Sequence, residues 1–200
     1  MKAILAIRVF AVTLTLGTLG FSQSFAPPLA PGTRYFLRDD LQGRWCVYSN
    51  KETWDSRVNS VQPEMAGGIE YHGGRVSRIY LQQQNSNVEW VLHDWYELNR
   101  LGQIVGLLRN ILYVSEHEVK QESYQIAAGK ATKTASSAWN PVTSESLPLP
   151  RPMDADATWQ VFTRIKDLPF TQLIEGRAKR TLSKEGSCVP VRNLTQTAVQ

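Results

Sequence analysis

The sequence predicts a mainly β fold: an antiparallel meander that closes into a barrel or curves strongly, with either a short helix or a last strand near its C-terminal end. Three observations predict it. Residues 75–127 hold four strand-like stretches, three of them about ten residues long and rich in β-branched and aromatic residues. Short polar or glycine-bearing turns separate them, and connections that short permit only antiparallel neighbours. A chain of 200 residues that is 42% hydrophobic has the size and composition of one domain with a single core. Long twisted meanders curl and tend to close, which removes exposed edges.

The N-terminus precedes that fold. MKAILAIR carries Lys2 and Arg8, an apolar and hydroxyl run follows over residues 9–21, and small residues come next in SQSFAPP. This is the three-part layout of a secretory signal peptide over residues 1–24, with a cut after Ser24 that keeps Pro27 clear of the cleavage position. The apolar run is shorter than the ~20 residues a bilayer-spanning helix needs. Residues 25–41 open with Pro27, Pro28 and Pro31 and are expected to form an extended linker, since proline fixes φ and lacks an N–H. The chain is therefore expected to be exported, periplasmic or extracellular.

The domain itself is expected over residues 42–200. It opens with the strand RWCVYS; residues 58–65 show no decided pattern. IEYH is expected as a short strand between two turns, Gly67-Gly68 and Gly73-Gly74. RVSRIYLQQ follows, then a turn over residues 84–87, then NVEWVLHDWYEL. In that last strand Val88, Trp90, Leu92, Asp94, Tyr96 and Leu98 share one face, apolar except for Asp94 and so directed at the core. Glu89, Val91, His93, Trp95 and Glu97 share the other. A turn over residues 99–102 leads into QIVGLLRNILYVSE, where Leu107, Arg109, Ile111 and Tyr113 share a face. EVKQESYQIA alternates weakly, like an edge strand. Residues 128–156 are rich in Ser, Thr, Ala and Pro, show no sustained period and are expected as a long loop whose Trp139 docks on the body. TWQVFTRIKDL alternates again until Pro169, and FTQLIEGRAKRTL fits a short helix or a last strand.

The two cysteines, Cys46 and Cys188, stand at the two ends of the domain. Outside the reducing cytosol such a pair oxidises, so a disulfide is expected to clasp the first strand to the C-terminal segment. Closing a loop of that length stabilises by roughly 4–5 kcal/mol in the chain-entropy model. Charge excludes less. The balance is +4 with pI near 9.1, and Lys2 and Arg8 leave with the signal peptide, which takes it to +2. Nucleic-acid binding demands a clustered basic face, which this is not. The one basic cluster, Arg177, Lys179, Arg180 and Lys184, is read as a solvated face, with contact to anionic lipid or an acidic partner as the alternative.

Gly43-Arg44-Trp45 resembles the glycine–any–tryptophan signature of the lipocalins, at the opening of their first strand. The resemblance implies an eight-stranded up-and-down barrel, with the tryptophan across its closed end and an apolar ligand cavity at the other. It also implies a late arginine near Trp45, for which Arg180 and Arg192 both stand open. The family's threonine–aspartate–tyrosine motif is absent; His93-Asp94-Trp95-Tyr96 lies in a comparable place and takes over no role from it.

Catalytic signatures are lacking. His72, His93 and His117 have no metal-site spacing, GSC at residues 186–188 is not a nucleophile elbow, and the glycine pairs have no helix after them to cradle phosphate. No cofactor and no metal are expected. Asp94 is the one carboxylate among apolar neighbours, and burial would oblige it to find a serine, tyrosine or arginine across the sheet. A membrane-spanning barrel is disfavoured by Arg109, mid-strand among leucines, and by the polar tail.

These observations favour an exported, non-catalytic binding protein for a small apolar ligand or lipid. Its wall would comprise Trp90, Leu92, Asp94, Tyr96, Ile111, Tyr113 and Trp159; the same residues also describe a solid core. One alternative is a cell-envelope interaction or structural module that uses an exposed face with Val91, His93 and Trp95. The other is a hydrolase-type enzyme with Asp94 as acid or base.

Overall fold

The computed structural model describes residues 30–39, 41–149, 159–174 and 186–190. The signal-peptide segment 1–24, the cluster Arg177, Lys179, Arg180 and Lys184, and Arg192 lie outside these residues.

The fold is mainly β. Its strands are β1 (Arg34–Asp39), β2 (Arg44–Tyr48), β3 (Met65–His72), β4 (Arg75–Gln84), β5 (Trp90–Leu98), β6 (Ile104–Tyr113), β7 (Glu118–Ala127), β8 (Lys130–Trp139) and β9 (Ser187–Pro190). Helix α1 (Lys51–Val61) follows β2, and a single-turn helix α2 (Thr171–Ile174) precedes β9. All pairings are antiparallel, in one sheet of order β8-β7-β6-β5-β4-β3-β1-β2-β9. The meander is continuous from β3 to β8. The sheet is not closed: β8 and β9 are its two edges, where a barrel was one of the two forms expected. β1 lies between β2 and β3, an order that departs from the sequential one of an up-and-down barrel.

Two layers flank the sheet, and the alternation of side chains assigns residues to each. One face carries Phe36, Trp45, Val47, Ile79, Leu81 and Tyr96, packed against Phe162, Leu168, Phe170 and Leu173 from residues 159–174. The opposite face carries Tyr35, Leu37, Cys46, Tyr48, Ala66, Tyr80 and Trp95, packed with Trp54 of α1. Trp45 is a core tryptophan, edge-on to Phe36 at 5.6 Å and to Phe170 at 6.0 Å.

Helix α1 occupies a stretch with no decided strand pattern because Trp54, Val58 and Val61 recur at helical spacing. Asn50 caps it: its Oδ1 accepts from the Thr53 N–H at 2.8 Å. Gln62 ends it in a left-handed conformation at φ 47°. The Trp54 indole donates to the Phe36 carbonyl at 2.8 Å and so ties the helix to β1.

Four expectations are corrected. β1 lies within the segment read as a linker. Gly67-Gly68 is not a turn but part of β3, and Gly67 is there for close approach: a Cβ would stand 2.2 Å from the Tyr80 carbonyl and 2.6 Å from the Phe36 ring. β8 fills much of the predicted loop 128–156; Ala128 and Gly129, at φ 50° and 76°, make the tight turn that starts it. Residues 159–163, within the stretch 158–168 expected to alternate as a strand, pair with no described strand; they cross the sheet face as an extended strap that ends in a 3-10 turn, Ile165–Asp167, before Pro169. The strap is held from below by side chains, which places it at the candidate site.

The clasp is present. Cys46 faces Cys188 in the β2–β9 pairing and is disulfide-bonded to it across 142 positions. Among the described residues no helix is long and apolar enough to cross a membrane.

Candidate functional site

Three strands bring charged residues to the same face at the same level, and a fourth adds one a row along. β5 pairs with β6 so that Asp94 stands directly opposite Arg109, and β6 pairs with β7 so that Arg109 stands opposite Glu122. One level along, Tyr96, Leu107 and Tyr124 make the neighbouring row, with Lys133 of β8 beyond. A polar strip therefore crosses a face whose β5 and β6 positions are otherwise apolar.

Asp94 is 0% and Arg109 1% exposed. The guanidinium meets the carboxylate two-fold: Nε donates to Oδ1 at 2.7 Å and Nη2 to Oδ2 at 2.8 Å. The Tyr96 hydroxyl donates to Oδ2 at 3.0 Å. Arg109 has donors to spare, and they reach up to the strap. Nη1 donates to the Trp159 carbonyl at 3.3 Å and Nη2 to the Gln160 carbonyl at 2.8 Å. The fixed fork of arginine suits this double duty, which a lysine ammonium cannot reproduce.

Burial opposes the charge on Arg109, but the hydrogen bonds and charge of Asp94 overcome it, and its pKa is raised. Burial pushes the Asp94 carboxyl up, and Arg109 and Tyr96 pull against that. A neutral acid beside a cation that never deprotonates would leave a lone buried charge, so the pair is ionised at neutral pH.

Glu122 forms the second centre. Its Oε1 accepts from Lys133 Nζ at 2.5 Å and from Lys120 Nζ at 3.1 Å, and its Oε2 accepts from the Tyr124 hydroxyl at 2.5 Å. Burial raises its pKa, but the three donors prevail and bring it down from 4.5 to about 2.

The predicted wall residues do come together, in two groups. Leu92, Ile111 and Tyr113 form an apolar cluster with Trp90 and Trp159, whose rings meet edge-on at 4.2 Å. Tyr96 faces Phe162 at 6.3 Å. The strap covers both groups, so its own side chains rest on the wall. A void lined by Phe36, Val47, Ile69 and Leu173 has room for about one water, about 10 Å³.

Both oxygens of Asp94 are engaged and neither meets solvent, so it offers no free position to a substrate proton. The exposed contact patch expected at Val91, His93 and Trp95 is overturned: Trp95 is 3% exposed, between Tyr80 at 5.5 Å and His93 at 5.8 Å. His93 does point away from Asp94, and its Nδ1 shares a hydrogen bond with the Tyr80 hydroxyl at 2.8 Å. Burial lowers its pKa from 6.5 to about 4. No group of three metal-binding side chains occurs among the described residues.

Sequence reading finds Asp94 and its need for a tyrosine or arginine. It misses Lys120, Glu122 and Tyr124, whose i, i+2 spacing on β7 is a strand signal made largely of charged residues, and Lys133 on β8. Comparison with known protein families, with curated proteins and with solved structures finds no match.

Proposed function

We propose that this is an exported, non-catalytic binding protein that holds a small apolar ligand or lipid on the face of β5 and β6. The observation that carries the reading is the composition of that face: Trp90, Leu92, Ile111 and Tyr113 form one apolar patch beneath Trp159, beside an ion pair that is already saturated. An aromatic-lined surface with few, fixed polar groups is the usual chemistry of a small-ligand site. Export is supported by the Cys46–Cys188 bond, which persists in oxidising compartments.

The test is a fluorescence titration of the protein with a panel of fatty acids and hydrophobic dyes. Trp90 and Trp159 are in contact, so a ligand that enters between them shifts or quenches the emission, and Trp90→Phe removes most of that response. A flat titration across the panel removes the reading.

A further inference from the structure

The strap meets the sheet as a bound peptide meets its receptor. It forms no ladder with any described strand, yet two successive carbonyls, those of Trp159 and Gln160, are bonded to Arg109. Its side chains divide in two. Trp159 and Phe162 turn down onto Trp90 and Tyr96, with Val161 part-buried against the core beside them, while Gln160 is exposed. The groups below are fixed in advance, because Asp94 holds the arginine fork and the tyrosine hydroxyl in place.

We infer that Arg109, Asp94 and Tyr96 form a subsite for an extended peptide with aromatic side chains three residues apart, and that residues 159–162 occupy it in cis. Main-chain groups supply the general grip and the two aromatic positions the selectivity, as in other modes of extended-peptide recognition. The inference rests on the proposed binding role and names its ligand class. A fatty acid can fill the apolar patch, but its carboxylate would meet Arg109 beside the like charge of Asp94, whereas two neutral main-chain carbonyls satisfy Nη1 and Nη2 without that repulsion. The segment in cis acts at an effective concentration on the order of millimolar, so a free peptide competes poorly with it in the intact protein.

The experiment uses the full chain with its disulfide intact and a fluorescein-labelled decapeptide, WQVFTRIKDL, read by anisotropy. Trp159→Ala combined with Phe162→Ala weakens the strap and leaves the sheet side untouched, so the labelled peptide binds this protein at least tenfold more tightly than the unaltered one. If the double variant fails to fold, Trp159→Ala alone is measured and shows a smaller increase of the same sign. Adding Asp94→Asn and Arg109→Gln, with the fold verified by circular dichroism, abolishes the gain. A scrambled peptide with its aromatics adjacent binds at least tenfold more weakly. Equal binding of the two peptides overturns the inference. So does a fatty acid that shifts the tryptophan emission where the decapeptide does not bind, an outcome that leaves the general binding role standing. Failure of both ligands removes both readings.

Discussion

Residues 159–174 are fastened to the sheet at two places by opposite chemistry. At one end Phe170 lies against Phe36 and Trp45, with Leu168 and Leu173 around it, and the contacts among these described residues are apolar. At the other end a single buried cation grips two carbonyls, supported by Asp94 and Tyr96. The apolar anchor depends on volume and area, so it tolerates changes of pH and salt. The ionic anchor depends on geometry and protonation, and losing any one member leaves the others uncompensated in a dry site.

The largest expected effects set the two anchors against each other. Arg109→Met should cost about 3–5 kcal/mol in urea unfolding, because Asp94 is left buried and unpaired. Pairing it with Asp94→Leu should recover most of that loss. Phe170→Ala should cost a similar ~3–5 kcal/mol through its cavity, with no single partner change to restore it. If the paired variant at 94 and 109 is as unstable as Arg109→Met, the contrast between the anchors fails.

Acid should sharpen the contrast to a smaller degree. His93 and Glu122 lie on opposite faces, and both have folded pKa values below their unfolded ones, about 4 against 6.5 and about 2 against 4.5. Their contributions are therefore full above the unfolded values and are lost as pH falls through the folded ones. His93 accounts for the decline from about pH 6.5 toward 4, and Glu122 for that from about 4.5 toward 2. By pH 5 the loss from His93 should reach about 1–2 kcal/mol. Chemical denaturation of His93→Gln across this range should show a flatter profile between pH 6.5 and 4, and an unchanged slope there would assign the acid sensitivity elsewhere. The smallest effect is a control remote from both anchors. Val88 sits in the turn before β5 at φ 51°, a strained conformation for a β-branched residue, with its N–H bonded to the Asn85 carbonyl at 3.0 Å. Val88→Asn should add about 0.5–1 kcal/mol to stability without altering the Trp90–Trp159 fluorescence.

Much of this architecture was legible in the chain, and the parts that were not share a cause. β4 to β7 were visible because apolar residues alternate with polar ones between recognisable turns. β8 was invisible because most of its side chains are exposed on either face, so KATKTASSAW carries no contrast to read. β7 looked like an edge because its inward positions Glu118, Lys120 and Glu122 are charged, and charge ordinarily marks the solvent side. The Asp94–Arg109 pairing was half visible. Both residues stood out among apolar neighbours, but counting back from the 99–102 turn misses their register, because a bulge at Glu97/Leu98 shifts the pairing of β5 with β6 by one residue. The strap alternates like a strand because alternation reports only that one side is covered. It does not distinguish a strand from an extended segment lying across a sheet.

The bond between Cys46 and Cys188 has a topological consequence for that strap. It turns everything from residue 46 to residue 188 into a covalent ring, and the strap is an arc of it. A protease that severs the ring once produces a nicked molecule whose halves stay joined, visible as two bands on a gel only after reduction. Outside the cell, such a cut ahead of Trp159 would hand the strap a loose end while Phe170 still moored the other.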